Sequence, residues 1–292
     1  VVDMMKDLFA VNLSLGTVSA CERSVSEAIV EPVAQAHAYA KQQAVGYADE
    51  TGWREKNRRA WLWVLATPLV TVFCIQAKRG KKAAQALLGT FRGILVTDRW
   101  RSYRWFTGRR QICWSHLKRD FEAISEYPGV SGYIGRELVK RTKKLFKLWY
   151  RVRDGTLTRR QFQRKTRPLE KRFEQLLLRG TRRSLPISGM CEEMLKDFPF
   201  FFTFVTYEGV EPTNNDAERQ IRPAVMWRKT SFGTQSAEGS RFVERMLTVR
   251  ATLRQQGRNV VEFIVEAQAR KCRGKIAPSL LPVQQAVLRA AA

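Results

Sequence analysis

An α/β fold is predicted by three features of the chain. Residues 45–51, 60–66 and 70–76 are three successive short runs rich in β-branched and aromatic residues. A helical run over residues 81–88, bounded by Gly80 and Gly89, then leads into a buried apolar run over 93–98 that ends in an acid. Helical signals alone follow over residues 126–205. The order strand, strand, strand, helix, strand, with Asp49 on the first strand and Asp98 ending the fourth, is the ribonuclease-H-like arrangement. The expected architecture is therefore a ribonuclease-H-like mixed sheet with flanking helices, interrupted by a large all-helical insertion and preceded by a helical amino-terminal segment.

Taken in order, residues 1–44 read as helical. The turn at 13–19, followed by Ala20-Cys21-Glu22-Arg23, can belong to a helix-turn-helix DNA reader and so to a remnant of a DNA-binding region, although Ser and Thr before a helix are also ordinary caps. Residues 45–125 form the first part of the core. A Thr67-Pro68 turn joins the second and third strands, and residues 111–114 form a fifth strand before a helix that starts at His116. The insertion, 126–205, carries helices over 136–151, 159–178 and 187–195, parted by turns at Tyr127-Pro128-Gly129, Asp154-Gly155 and Arg179-Gly180. Residues 206–270 complete the core. There a basic turn at 228–233 precedes an amphipathic helix over 238–256, ended by Gly257, and a last helix over 260–269. A basic, then apolar tail occupies 271–292.

The 292 residues, 44% of them hydrophobic, suffice for a substantial core. A formal net charge of +25 favours a polyanionic partner through counterion release and electrostatic steering, and nucleic acid is the leading candidate. The basic residues are spread along the chain rather than gathered into one amphipathic anchor, which argues against a membrane surface. No stretch is long and apolar enough to span a bilayer, and the amino terminus has no secretory leader. The five cysteines are scattered and odd in number, which disfavours a disulfide framework and suits a reducing cytoplasm.

Cleaving a phosphodiester with two metal ions needs clustered carboxylates, because hard divalent cations prefer oxygen ligands. Asp49 and Asp98 fall on strands that the expected order makes neighbours. Strand alternation sends Asp49 and Glu50 to opposite faces, so only one of them can serve. The third acid must come from a helix, and Glu218 in Asn214-Asn215-Asp216-Ala217-Glu218-Arg219 is the candidate. Asn215 to Glu218 also has the spacing of a capping box, Asp98 could simply cap the following helix, and Asp216 is a spare acid on another helix face. Arg219, Arg222, Arg228 and Lys229 can grip DNA phosphates near the scissile bond, and Trp53 or Trp100 could stack on bases. Cys113 and His116 have the spacing of half a zinc site, but His37 is the only other histidine. The alternative is a buried cysteine on the fifth strand with a histidine near the active site.

Five signatures, in this order, resemble the insertion sequence 66 family of DDE transposases. They are Asp49-Glu50-Thr51-Gly52-Trp53, Thr97-Asp98-Arg99-Trp100-Arg101-Ser102-Tyr103, Cys113-Trp114-Ser115-His116-Leu117-Lys118-Arg119-Asp120-Phe121, Asn214-Asn215-Asp216-Ala217-Glu218-Arg219-Gln220-Ile221-Arg222-Pro223, and Arg228-Lys229. The resemblance implies metal-dependent DNA strand cleavage and strand transfer at the ends of an insertion sequence. It also implies an acidic triad at Asp49, Asp98 and Glu218 that binds two Mg²⁺ or Mn²⁺ ions. The implied partners are element-end and target DNA, further copies of the chain on that DNA, and accessory proteins of the same element. Members of the family generally carry more amino-terminal sequence, including a cysteine-rich zinc-binding segment. A truncated, inactive DNA-binding relative that occupies element ends is therefore the alternative.

Overall fold

The computed structural model describes residues 1–282, and the far end of the tail expected at 271–292 lies outside the described residues. The chain divides into two compact units, residues 1–93 with 216–292, and residues 94–215.

The first unit begins with three helices, α1 (Val2–Phe9), α2 (Leu15–Ala28) and α3 (Val30–Lys41). Ser14 caps α2 by accepting the Thr17 N–H at 3.0 Å, so residues 15–19, expected as a turn, are helical. The ordinary cap accounts for the Ser and Thr there. Next come β1 (Val45–Glu55), β2 (Arg58–Ala66) and β3 (Thr71–Gln76), an antiparallel meander with Asp49 opposite Val64 and Val64 opposite Phe73. The β1–β2 turn is two residues long, and Lys56 takes the left-handed conformation there, φ 53°. Helix α4 (Lys81–Leu88) follows as expected.

The edge of β3 is closed by a helix rather than by another strand. Along α11 (Ala237–Gln255), Glu244, Thr248 and Thr252 accept the backbone N–H groups of Ile75, Phe73 and Thr71, the two threonines at 3.1 and 3.2 Å. Four helical residues rise about 6 Å and two strand residues about 6.8 Å, so side chains at i, i+4 and i+8 keep step with alternate strand amides. Every second amide of the edge is thereby satisfied without presenting a free strand to another chain. Helix α12 (Val260–Cys272) then packs on α11 and α2.

In the second unit β4 (Ile94–Thr97) and β5 (Arg110–Ile112) form a parallel pair with Val96 opposite Gln111. The expected fifth strand over 111–114 stops at Ile112: Cys113 is the cap position and Trp114 the first residue of α5 (Trp114–Ser125). Helices α6 (Gly129–Arg153), α7 (Arg159–Gly180), α8 (Ser188–Asp197) and the short α9 (Thr203–Thr206) follow. Trp114 is fully buried at their centre, ringed edge-on by Phe173, Phe202 and Phe204 with centroids 5.3 to 6.5 Å away, and its indole N–H donates to the Phe201 carbonyl at 2.6 Å. Arg110, buried on β5, pairs with buried Asp197 at 2.7 Å.

Helix α6 starts seven residues before the expected Arg136. Gly132 and Gly135 weaken the helical signal in the sequence, yet both are required by packing. A Cβ on Gly135 would stand 2.2 Å from the Ser125 nitrogen, and one on Gly132 would stand 1.9 Å from the Tyr127 carbonyl oxygen. These glycines let α6 lie directly on the end of α5.

Candidate active site

In the first unit β1 supplies two adjacent acids, and the structure separates their tasks. Glu50 is buried and its carboxylate receives the Arg79 guanidinium at 2.8 and 2.9 Å, with Arg79 itself lying over Trp61 at 4.8 Å. Glu50 is thus engaged in a structural ion pair on one face of the sheet. Asp49, on the opposite face, is half-buried and one of its oxygens accepts the Glu50 N–H at 2.9 Å.

Glu218 lies in the first turn of α10 (Asn215–Ser231), a helix that runs on through Pro223 to include Arg228 and Lys229. The basic turn expected at 228–233 is consequently shorter: the chain reverses at Phe232 (φ 58°) and Gly233 (φ 104°). Ala217, Ile221 and Ala224 form the buried stripe of α10, and Glu218 is half-buried beside it. Asp216, two residues back, sits 3.5 Å from Arg219.

The four expected DNA-binding cations differ in commitment. Arg228 donates to the Gly52 carbonyl and to Thr51 Oγ1 (3.2 Å), which ties the end of α10 to β1. Arg219 is exposed and shared with Asp216, whereas Arg222 and Lys229 are exposed with no ion pair among the described residues. Trp53 is core: it is 1% exposed, its indole N–H donates to Thr234 Oγ1 at 3.3 Å, and its ring lies 6.1 Å from that of Trp227.

In the second unit Asp98 directly follows β4. One of its oxygens accepts the Trp100 N–H at 2.8 Å, a local turn that fixes the carboxylate at the strand end. Asp98 faces a cleft of about 450 Å³ that also receives His116, Asp120 and Arg119. Arg99, next to the acid, turns to Asp120 in an ion pair, and Arg104 bridges Glu193 at 3.0 Å and Asp197 at 2.9 Å. Lys196 and Arg104 hold the Glu193 carboxyl down to about 2. Arg119 is exposed and without an ion pair among the described residues, so it is the uncommitted cation of the cleft.

Cys113 is buried and accepts the Asn214 N–H at 3.2 Å, while His116, in the first turn of α5, approaches within 4.8 Å of the Cys113 sulfur. The buried His116 Nδ1 has no hydrogen-bond partner among the described residues. Asp120 and Arg119 received no role from the sequence, although His116, Arg119 and Asp120 stand at i, i+3 and i+4 and so share a helix face. That spacing was the available signal.

A family model described as "Transposase IS66 family" matches residues 1–241. An uncharacterized protein, y4qI, of Sinorhizobium fredii (strain NBRC 101917 / NGR234) is 24% identical over 245 residues, covering 75% of this chain and 45% of that protein. The chain therefore spans less than half the length of that curated relative. No helix among the described residues is long and apolar enough to cross a membrane.

Proposed function

The chain belongs to the IS66 transposase family, and from that premise we propose that it cleaves DNA strands at the ends of an insertion sequence and joins them to target DNA. In this reading the fold is ribonuclease-H-like, Asp49, Asp98 and Glu218 are the catalytic acids, and residues 126–205 are an insertion into the core. The observation that carries it is the division of labour around the acids. Glu50, the competing ligand on β1, is occupied by Arg79, and Arg99, the cation beside Asp98, is occupied by Asp120.

The donor set fits a hard divalent cation, since all three acids offer carboxylate oxygen and Asp98 opens on a cleft lined by further polar groups. Two Mg²⁺ or Mn²⁺ ions, held by Asp49, Asp98 and Glu218, would supply activation of the attacking oxygen and stabilisation of the departing one. The chain's own work is to orient. The Asp98 turn fixes one carboxylate at the strand end, the α10 stripe anchors the helix that carries Glu218, and Arg228 fastens that helix to β1. Arg222 and Lys229, with Arg219 in support, hold the DNA backbone by charge-assisted contacts to phosphate. Several copies acting together on DNA, with accessory proteins of the element, complete the proposal.

The test is a cleavage and strand-transfer assay on labelled element-end duplex with Mg²⁺ or Mn²⁺, run beside Asp49→Ala, Asp98→Ala and Glu218→Ala. Each substitution is expected to reduce strand cleavage at least about a hundredfold, the scale on which removal of one essential electrostatic partner acts in a water-excluded site, while duplex binding persists. Equal cleavage by all four proteins would sink the triad. Binding without cleavage by all four would support the inactive DNA-binding relative instead.

A further inference from the structure

Outside the acids, the strongest unassigned feature is a basic groove along α7. Arg160, Arg164 and Arg167 recur at four and three residues, and Lys171 extends the row by another turn, so they line one face of the helix over roughly 16 Å. The apolar stripe of α7, which includes Phe162, Leu169, Phe173 and Leu176, is displaced from that row by about half a turn. The four cations therefore face away from the core. All four are exposed, and none has an ion pair or a side-chain hydrogen bond among the described residues.

Thr158, Gln161 and Gln163 combine with the three arginines around a cleft of about 630 Å³ that has no carboxylate in its lining. Gln163 and Arg167 also line an adjoining cleft of about 460 Å³. The second cleft adds Arg109, stacked 4.8 Å over the Tyr207 ring, and one acid, Glu170. Thr166, 1% exposed, lines it too, and its buried hydroxyl has no partner among the described residues.

Local energetics run against this charge pattern. The first turn of α7 carries Arg159 and Arg160 and no acid, where the helix macrodipole favours negative charge. Arg159 has a structural occupation, since it lies over Trp149 at 5.4 Å and donates to the Phe204 carbonyl at 2.6 Å. Arg160 has none. Exposed like charges at close spacing repel, and a polyanion removes that repulsion while releasing its own counterions.

We propose that the α7 groove is a second DNA-docking surface, which holds the sugar-phosphate backbone of duplex DNA without reading its sequence. It rests on the transposase reading for the identity of the polyanion. Arg160, Arg164 and Arg167 contact phosphates, Lys171 extends the row along the helix, and Arg109 stands in the adjoining cleft beside Arg167.

The experiment measures binding of the full chain to a 30-base-pair duplex of arbitrary sequence by fluorescence anisotropy across a salt series, with element-end cleavage followed in parallel. The triple variant Arg160→Gln, Arg164→Gln, Arg167→Gln is compared with Lys140→Gln, Lys143→Gln, Lys147→Gln, which removes the same charge from exposed positions on α6. Far-ultraviolet circular dichroism and melting curves verify that both fold. Each lost phosphate contact lowers the slope of log K against log salt by about 0.9, so the groove variant should lose about 2 to 3 and the α6 variant clearly less. An unchanged slope in the groove variant, or equal losses in both, would overturn the docking surface while the parental protein still binds and cleaves. Failure of the parental protein to bind any duplex would overturn the transposase reading along with it. Tighter groove-dependent binding of single-stranded RNA or an acidic peptide than of duplex would overturn the assignment to DNA alone.

Discussion

Two titratable side chains in the first unit, buried Glu244 and half-buried His37, oppose each other in their dependence on pH. Burial pushes the Glu244 carboxyl up to about 7 from 4.5. The folded state therefore holds a proton between those values that the unfolded state has released, and stability falls as pH rises through that window. Burial, with Lys41 nearby, pushes His37 down to about 4 from 6.5. There the unfolded state binds the extra proton, so stability is present above 6.5 and is lost as pH falls toward 4. Each shift corresponds to roughly 3 kcal/mol, and between 4.5 and 6.5 the two slopes cancel. Glu244→Gln keeps an acceptor for the Ile75 amide but removes the titration. Urea denaturation of that variant should show stability climbing with pH from 4.5 to 6.5, where the parental protein is nearly flat. A flat profile in the variant would contradict the assignment. The thiols of Cys74 and Cys191, raised by burial to about 12 and about 11, take no part at these pH values.

Among the elements, α6 shows packing overruling propensity. Replacing a helical glycine by alanine ordinarily gains up to about 1 kcal/mol. At Gly135 the new Cβ meets the α5 backbone at 2.2 Å, and overpacking of that kind costs about 1–3 kcal/mol. The packing term is the larger, so Gly135→Ala should destabilise the protein by about 1–2 kcal/mol in urea denaturation. Gly189, whose Cβ would meet nothing within 4 Å, provides the contrasting substitution and should be neutral or stabilising. A stabilising Gly135→Ala would show that α5 and α6 are less closely apposed. The α11 ladder on β3 belongs to the same scale. A helix whose sequence looks merely amphipathic spends Glu244, Thr248 and Thr252 on strand amides, a use that no helical periodicity reveals.

At the scale of the whole molecule, the net charge of +25 is the dominant quantity. Most of it is carried by exposed side chains, where repulsion is long-ranged at low salt and is screened as the Debye length shortens to about 8 Å at physiological ionic strength. Thermal midpoints should therefore rise on going from about 20 mM to 150 mM salt, and rise further with added duplex DNA, which binds the folded state. A midpoint that fell with salt would mean that the many exposed ion pairs outweigh the repulsion. It would also remove the physical basis for reading this surface as one built for a polyanion.

The elements were largely legible in the sequence because their periodicities are local: β1 to β3, α4, α7, α11 and α12 all lie close to where alternation and helical spacing put them. The family was legible for a similar reason, since its signatures are contiguous runs that need no folding to be read. Net charge likewise follows from composition alone, and with it the expectation of a polyanionic partner. What the sequence could not decide was the use of each side chain, because that depends on groups far away along the chain. Glu50 and Asp49 are adjacent acids until Arg79, stacked on Trp61, takes the first and leaves the second on the other face. Arg228 reads as a DNA contact, and only the structure shows its guanidinium donating to the β1 backbone. The early start of α6 was hidden by glycines whose reason is the neighbouring helix. Alternation and spacing fix which way a residue points, but only the tertiary structure supplies what it meets there.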